Sequence, residues 1–352
     1  MASKRPVGEF ELIARIAPLL DSAGGEVVLG HGDDTAVVQI SGRDVVITVD
    51  VVVEGVHFRR DLSSWADVGW KAVAVNVSDL AAMGANPVAA VVGLCRPRDV
   101  DEDDVVALYQ GLRAACDRWG LRLVGGDTVR GPGFVVSVTM LGEVDDHSVV
   151  TRAGARPGDR LVVVGALGAA SAALAQISAG VEPDPVFLAA HRRPVALPGA
   201  GQVLAAYGAR AMIDVSDGLG SDLGHICEAS GVGAWVTAAA LPVARGVLET
   251  GGWELACGGG EDFALVAALP PERAEAAAHQ AGATEGVPAA VVGEITEPTS
   301  GVMLVLPDGG MLPLDRMGYD HFAPKGPPRV AQGATPRANE PGGGGLQMSQ
   351  PK

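Results

Sequence analysis

A chain of 352 residues that is 48% hydrophobic and carries a formal charge of −16 has apolar material for roughly two globular domains of ~100–200 residues each. The acidity excludes recognition of nucleic acid through a basic face, which needs clustered Lys and Arg. No run approaches the roughly 18 uninterrupted apolar residues of a membrane span, and the opening MASKRPVGEFELIARI has no long apolar segment followed by a small-residue cleavage site, so the chain reads as cytoplasmic, with no membrane partner.

Phe10, Ile13, Ala17 and Leu20 recur at helical spacing and predict an amphipathic helix at the start. Two strand-like runs, TAVVQI and DVVITVD, flank the turn Ser41-Gly42-Arg43. Next come a helix from about Trp65 to Met83, a strand in VAAVVGL, a helix from about Asp103 to Trp119, and strands in LRLVGG and FVVSVTMLGEV. Strands and helices mixed at this spacing predict a layered α/β or α+β fold. A second set begins near Thr151, with strands in LVVVGAL and AAVVGEI, a strand-to-helix passage in ARAMIDVSDGLGSDLGHICEASG, and a loop entering a strand in GGGEDFALVAAL. The expected domains are residues 1–147 and 148–323. From Pro324 the chain is rich in Pro, Gly and polar residues, which predicts a disordered tail over 324–352. That tail carries a net +3, leaving −19 on the body.

Cys95, Cys116, Cys227 and Cys257 show no CxxC or paired Cys/His spacing, so they read as buried thiols rather than a zinc site or a disulfide framework. The informative residues are aspartates at the ends of apolar segments, flanked by Gly, Ser or Thr: GHGDDTAV, TVDVVVEGVHF, NVSDLAAMGA, VGGDTVRG and IDVSDGLGSDL. Any one of them reads first as a turn or a helix cap. Asn76 and Asp79 share a helix face, so they either bond to each other in the core or face a site. Asp127 follows a glycine pair that permits close backbone approach and suits a phosphate or ribose neighbour. Ser216 and Asp217 stand at a strand-to-helix junction, where either is a candidate N-cap.

Clustered carboxylates raise one another's pKa unless cations neutralise them, and hard divalent ions with oxygen ligands, such as Mg2+, are the natural partner. Only Lys4 and Lys71 precede the tail, and neither a GxxxxGK[ST] loop nor a VAIK-like strand lysine is present. If the chain binds ATP, metal has to neutralise much of the phosphate charge.

Taken in order, GDD, TVD, EGVHF, NVSDLAAMGA, GGDT, TRAGARPGD, DVSDGLGSDLGHI and GGEDF resemble the motif series of the thiamine-monophosphate kinases. That family belongs to the superfamily of aminoimidazole ribonucleotide synthetase and selenophosphate synthetase. The resemblance runs from GEFELIARI to GYDHFAP, about nine tenths of the chain. It implies a two-domain aminoimidazole ribonucleotide synthetase-like fold, with an N-terminal sheet paired across a homodimer and a C-terminal α/β domain. It implies ATP and thiamine monophosphate as substrates, thiamine diphosphate as product, and several Mg2+ ions held by Asp34, Thr48, Asp50, Asp79, Asp127, Asp214 and Asp217. Nucleotide contacts would come from Tyr109, Gly126, Asp127, Arg152 and Ser216, and acceptor contacts from His57, Glu261 and Tyr319. Relatives often place a hydroxyl residue immediately before the aspartate matching Asp50; here that position is Val49, which offers only its backbone carbonyl. A selenophosphate synthetase would need a reactive Cys or selenocysteine with a lysine near its N-terminal glycine loop, and neither is present. A non-catalytic metal or nucleotide sensor of the same dimeric fold need not retain every charge-neutralising aspartate.

Overall fold

The computed structural model describes residues 13, 16–20, 24–30, 32–145, 149–314 and 317–318. The tail over 324–352, Tyr319 and most of the opening helix lie outside the described residues; of that opening segment, Ala17–Leu19 form a single 3-10 turn. Residues Met1–Phe322 make one compact unit.

The first sheet takes β1 (Val27–Leu29), β2 (Ala36–Ile40), β3 (Arg43–Val53), β4 (Asn86–Arg96), β5 (Arg122–Arg130) and β6 (Val135–Glu143) in the order β1-β2-β3-β6-β4-β5. The β2–β3 hairpin closes at the predicted turn, where Ser41 and Gly42 both adopt positive φ (53° and 79°), as a tight primed turn requires. β5 is longer than LRLVGG suggests, because Gly125 and Gly126 stay in the ladder with β4 instead of turning. A Cβ on Gly126 would lie 1.9 Å from the Val92 carbonyl oxygen, so the close backbone approach expected there is made to the neighbouring strand.

Two helices cover one face of this sheet. α1 (Trp65–Ala82) starts at a Ser64/Asp67 capping box and α2 (Glu102–Trp119) at an Asp101/Asp104 box, each satisfying free N–H groups of its first turn. They cross tightly because Gly69 and Gly111 lack side chains: a Cβ on Gly69 would meet Leu108 O at 2.1 Å, and one on Gly111 would meet Ala66 O at 2.0 Å. Along β3, Val46, Thr48, Asp50 and Val52 share the face turned to α1, while Val49 (58% exposed) and Val51 (43%) point away.

The second sheet has the order β13-β12-β9-β11-β7-β10-β8, with β7 (Arg160–Val164), β8 (Ala211–Val215), β9 (Gly233–Thr237), β10 (Ala264–Leu269), β11 (Ala289–Thr296), β12 (Val302–Val305) and β13 (Met311–Pro313). Its central strands are apolar without alternation because both faces are buried. Leu161, Val163, Ile213 and Val266 join one core with α3 (Ala169–Ser178), α4 (Pro185–Arg192), α6 (Leu219–Ser230) and α7 (Val247–Gly258). Val162, Met212 and Leu265 join another with α5 (Pro198–Ala206) and α8 (Pro271–Glu285), which also contains Ala81 and Ala82 of α1. α1 therefore belongs to both halves of the protein, and it carries residues of the site described next.

Candidate active site

Aspartates from three separate segments meet at one end of α1. Asp34 precedes β2, Asp79 lies in the last turn of α1, and Asp214 stands near the end of β8; one carboxylate oxygen from each falls within 4.8 Å of the others. Thr48 Oγ1 donates to Asp79 Oδ2 at 2.5 Å and Ser78 Oγ donates to Asp214 Oδ2 at 2.6 Å. Asn76 is fully buried, donates to Ala72 O and accepts from the Asp50 backbone N–H. The shared face of Asn76 and Asp79 thus divides: Asn76 fastens β3 to the helix, and Asp79 enters the site.

Burial, and then mutual repulsion, keeps these groups hard to ionise. Asp79 is pushed well above the ordinary carboxylate range by burial and by the charges of Asp50, Asp214 and Asp34. Burial raises Asp214 to about 8, with the Asp34 charge adding to it, and raises Asp50 to about 6. Burial also raises Asp34, against the opposing pull of Arg152, whose Nη2 donates to Asp34 Oδ1 at 2.5 Å. Asp34 Oδ2 is buried with no hydrogen-bond partner among the described residues. An all-oxygen set with one lone pair left unanswered fits a hard divalent cation.

The predicted residues Ser216 and Asp217 follow β8 and line the same cavity. Neither is the helix cap. Asp222, one turn into α6, accepts from the backbone N–H groups of Ser216, Asp217 and Gly218 at 3.0, 3.0 and 3.1 Å. A carboxylate reaching back from inside the helix does the capping, and Ser216 and Asp217 line the cavity.

That cavity, of about 430 Å³, extends from Asp50, Asp79 and Asp214 to His57 and Glu261. His57 Nδ1 accepts from the Val53 N–H at 3.1 Å. Glu261 Oε1 lies 2.8 Å from Lys71 Nζ, and Oε2 lies 2.8 Å from His191 Nδ1. Lys71, together with His191, outweighs burial and holds Glu261 down at about 2. Glu261 and Phe263 both adopt positive φ (68° and 51°), an uncommon backbone for residues with a side chain.

Three predicted positions, Tyr109, Gly126 and Asp127, stand apart from this cavity. Asp127 lies on the exposed strand β5, opposite Gly93 in a register that runs through Ser137 to Val51. It therefore occupies the sheet face that Val49 and Val51 present, away from Thr48 and Asp50, and its Oδ1 accepts from the Thr128 N–H. Tyr109 lines a shallow depression on α2 with Gln110 and Arg113. Sequence reasoning missed Ser78, Asp222 and His191 and gave Lys71 no role. A signal for Lys71 was available, since a single lysine interrupts the apolar run VGWKAVAV.

Residues 32–144 match the family described as AIR synthase related protein, N-terminal domain, and residues 156–305 match its C-terminal domain. A thiamine-monophosphate kinase of Escherichia coli O157:H7 is 38% identical over 327 residues, covering 90% of this chain and 98% of the relative. One of Bacillus subtilis is 34% identical over 325 residues, covering 89% and 99%. Among solved structures, AaThiL complexed with AMPPCP and TMP superposes with a TM-score of 0.78 at 31% identity, covering 92% of this chain and 100% of that one. The thiamine-monophosphate kinase of Stenotrophomonas maltophilia K279a gives 0.69 at 35% identity, covering 86% and 96%.

Proposed function

The chain belongs to the thiamine-monophosphate kinase family of AIR synthase related proteins, and from that premise we propose that it passes the γ-phosphoryl group of ATP directly to the phosphate of thiamine monophosphate, making thiamine diphosphate. It is a kinase whose two substrates are ATP and thiamine monophosphate; the solved relative that carries AMPPCP, an ATP analogue, together with TMP supports both. The observation that carries the reading is the single cavity with the Asp50, Asp79 and Asp214 carboxylates at one end and His57 and Glu261 at the other.

The acceptor phosphate is already a nucleophile as its anion, so no general base is assigned. Catalysis becomes positioning plus charge stabilisation in a loose, in-line transition state. Asp34, Thr48, Asp50, Asp79, Asp214 and Asp217 would hold Mg2+, and the unpartnered Asp34 Oδ2 supports that assignment. When bound, Mg2+ supplies neutralisation of the phosphate charge. Arg152, fixed by Asp34, and Ser216 would bind the nucleotide phosphates, while His57 and Glu261, with Tyr319 as an aromatic wall, would take the thiamine moiety.

The division into domains 1–147 and 148–323 accompanies this reading. So does a homodimer: the uncovered face of the first sheet presents Val49, Val51, Val91 and Val129, each more than 40% exposed, a patch larger than scattered surface apolar residues need. Asp127 lies on that face, and covering it would bring Asp127 and the neighbouring Gly126 into the assignment as metal and nucleotide contacts contributed at the interface, while Tyr109, on α2 at the other side of the sheet, is kept as a nucleotide contact. Among the described residues no helix is long and apolar enough to cross a membrane, and we place the enzyme in the cytoplasm. Incubating purified protein with MgATP and thiamine monophosphate, beside unphosphorylated thiamine as control, should give thiamine diphosphate by chromatography only from the monophosphate. An aspartyl-phosphate trapped from labelled ATP would overturn direct transfer.

A further inference from the structure

Resting on the acceptor assignment above, we propose that Lys71 and His191 are positioning residues: they fix the Glu261 carboxylate so that it reads the N–H-bearing heterocycle of the acceptor, while the acceptor phosphate lies at the Asp79 and Asp214 end of the same cavity. Two residues far apart in sequence converge on the Glu261 carboxylate, and each of its oxygens has a separate partner at 2.8 Å. The two partners show little surface to the cavity, with side chains only 3% and 4% exposed, whereas the Glu261 side chain keeps 25% of its surface. Glu261 is therefore the member of the trio that presents a surface, and Lys71 and His191 act through it.

Lys71 Nζ also donates to the His57 carbonyl oxygen at 3.1 Å, so one buried ammonium orients both proposed acceptor contacts. A carboxylate against a lysine and a histidine N–H stays ionised and retains a lone pair on each oxygen. It accepts hydrogen bonds and cannot donate them, which selects an amino-bearing heterocycle such as the aminopyrimidine of thiamine. Spacing agrees with this arrangement. Lys71 and Asp79 are eight positions apart on α1, about 12 Å along the helix axis at 1.5 Å per residue, so a single rigid helix sets the separation between the phosphate end and the heterocycle end. The positive φ at Glu261 and Phe263 places the one strained stretch of this loop at the group being aimed.

The test measures steady-state constants for His191→Leu, for His191→Asn, whose amide N–H takes the place of Nδ1–H, and for Lys71→Met alone and combined with Glu261→Gln. His191→Leu should raise KM for thiamine monophosphate at least about tenfold, while KM for ATP and the magnesium half-saturation stay within about twofold. His191→Asn should recover to within about threefold of wild type. Lys71→Met strands a carboxylate and is vulnerable to misfolding; the double variant removes both charges and should show the thiamine monophosphate KM of Glu261→Gln alone. An unchanged KM for thiamine monophosphate in His191→Leu, or a parallel loss of both substrates with melting temperature and no rescue by asparagine, overturns the positioning role. Wild type is assayed in the same series, and absence of its product would instead defeat the kinase reading beneath the proposal.

Discussion

Ser78 Oγ donates to Asp214 Oδ2 at 2.6 Å, so the helix that covers the first sheet directly holds a carboxylate of the second. Replacing Ser78 by Ala leaves that buried oxygen without its donor, which should cost about 1–2 kcal/mol of stability and raise the magnesium half-saturation for turnover. Thermal melts with and without Mg2+, beside a magnesium titration of rate, check both effects.

Asp50 and Asp214 are raised to about 6 and about 8 in the folded chain, above their unfolded values. Their contribution to the stability of metal-free protein is fully present below about pH 4 and is lost as pH rises through 6 and then 8. Glu261 runs the other way: held at about 2, its contribution is present above its ordinary value and is lost only as pH falls toward 2, outside this window. The melting temperature of chelated protein should therefore fall between pH 5 and pH 9, the Asp214→Asn variant should lose the upper part of that decline, and saturating Mg2+ should flatten it. Parallel curves for chelated wild type and Asp214→Asn would count against the cluster's electrostatics.

Asp79→Asn replaces a buried carboxyl that on folding must either stay charged among its neighbours or take up a proton, so at pH 8 without metal the variant should melt higher than wild type. Its turnover should fall at least about a hundredfold, roughly 2.7 kcal/mol of transition-state stabilisation. Asp127→Asn separates the two effects. Asp127 lies outside the cluster, so its metal-free melting temperature should stay at the wild-type value, and turnover should still fall about a hundredfold, with excess Mg2+ restoring only part of it. A variant equal to wild type at every magnesium concentration would make Asp127 an edge-strand residue with no part in catalysis.

His57→Ala and Glu261→Ala should impair use of thiamine monophosphate while leaving nucleotide affinity nearly intact. Separate titrations of AMPPCP and of thiamine monophosphate report this; weak nucleotide binding with normal acceptor binding would reverse the assignment.

The α1 and α2 boundaries and most strands were legible in the sequence because apolar periodicity and capping residues mark them locally. Trp65 follows a Ser64 cap, and Gly120 closes α2 in the left-handed conformation. The motif aspartates were legible as a group, but the way they gather was not. Asp34, Asp79 and Asp214 meet only because α1 packs against both sheets, a long-range arrangement that residue spacing does not encode. Asp127 has the same local Gly-rich signature yet lies on the opposite sheet face, a matter of strand register alone. Asp222 escaped notice because it caps from inside the helix, and His191 because its partner is 70 residues away.

The central claim is that the carboxylates joining Asp34, Asp79 and Asp214 hold the metal that phosphoryl transfer requires. Calorimetric titration of Mg2+ into protein containing AMPPCP, paired with thiamine diphosphate formation across the same magnesium range, tests it most directly in wild type and Asp214→Asn. Binding and turnover should share one magnesium dependence in wild type and weaken together in the variant. An Asp214→Asn protein that binds as many Mg2+ ions with the same affinity and turns over at the wild-type rate would contradict the account.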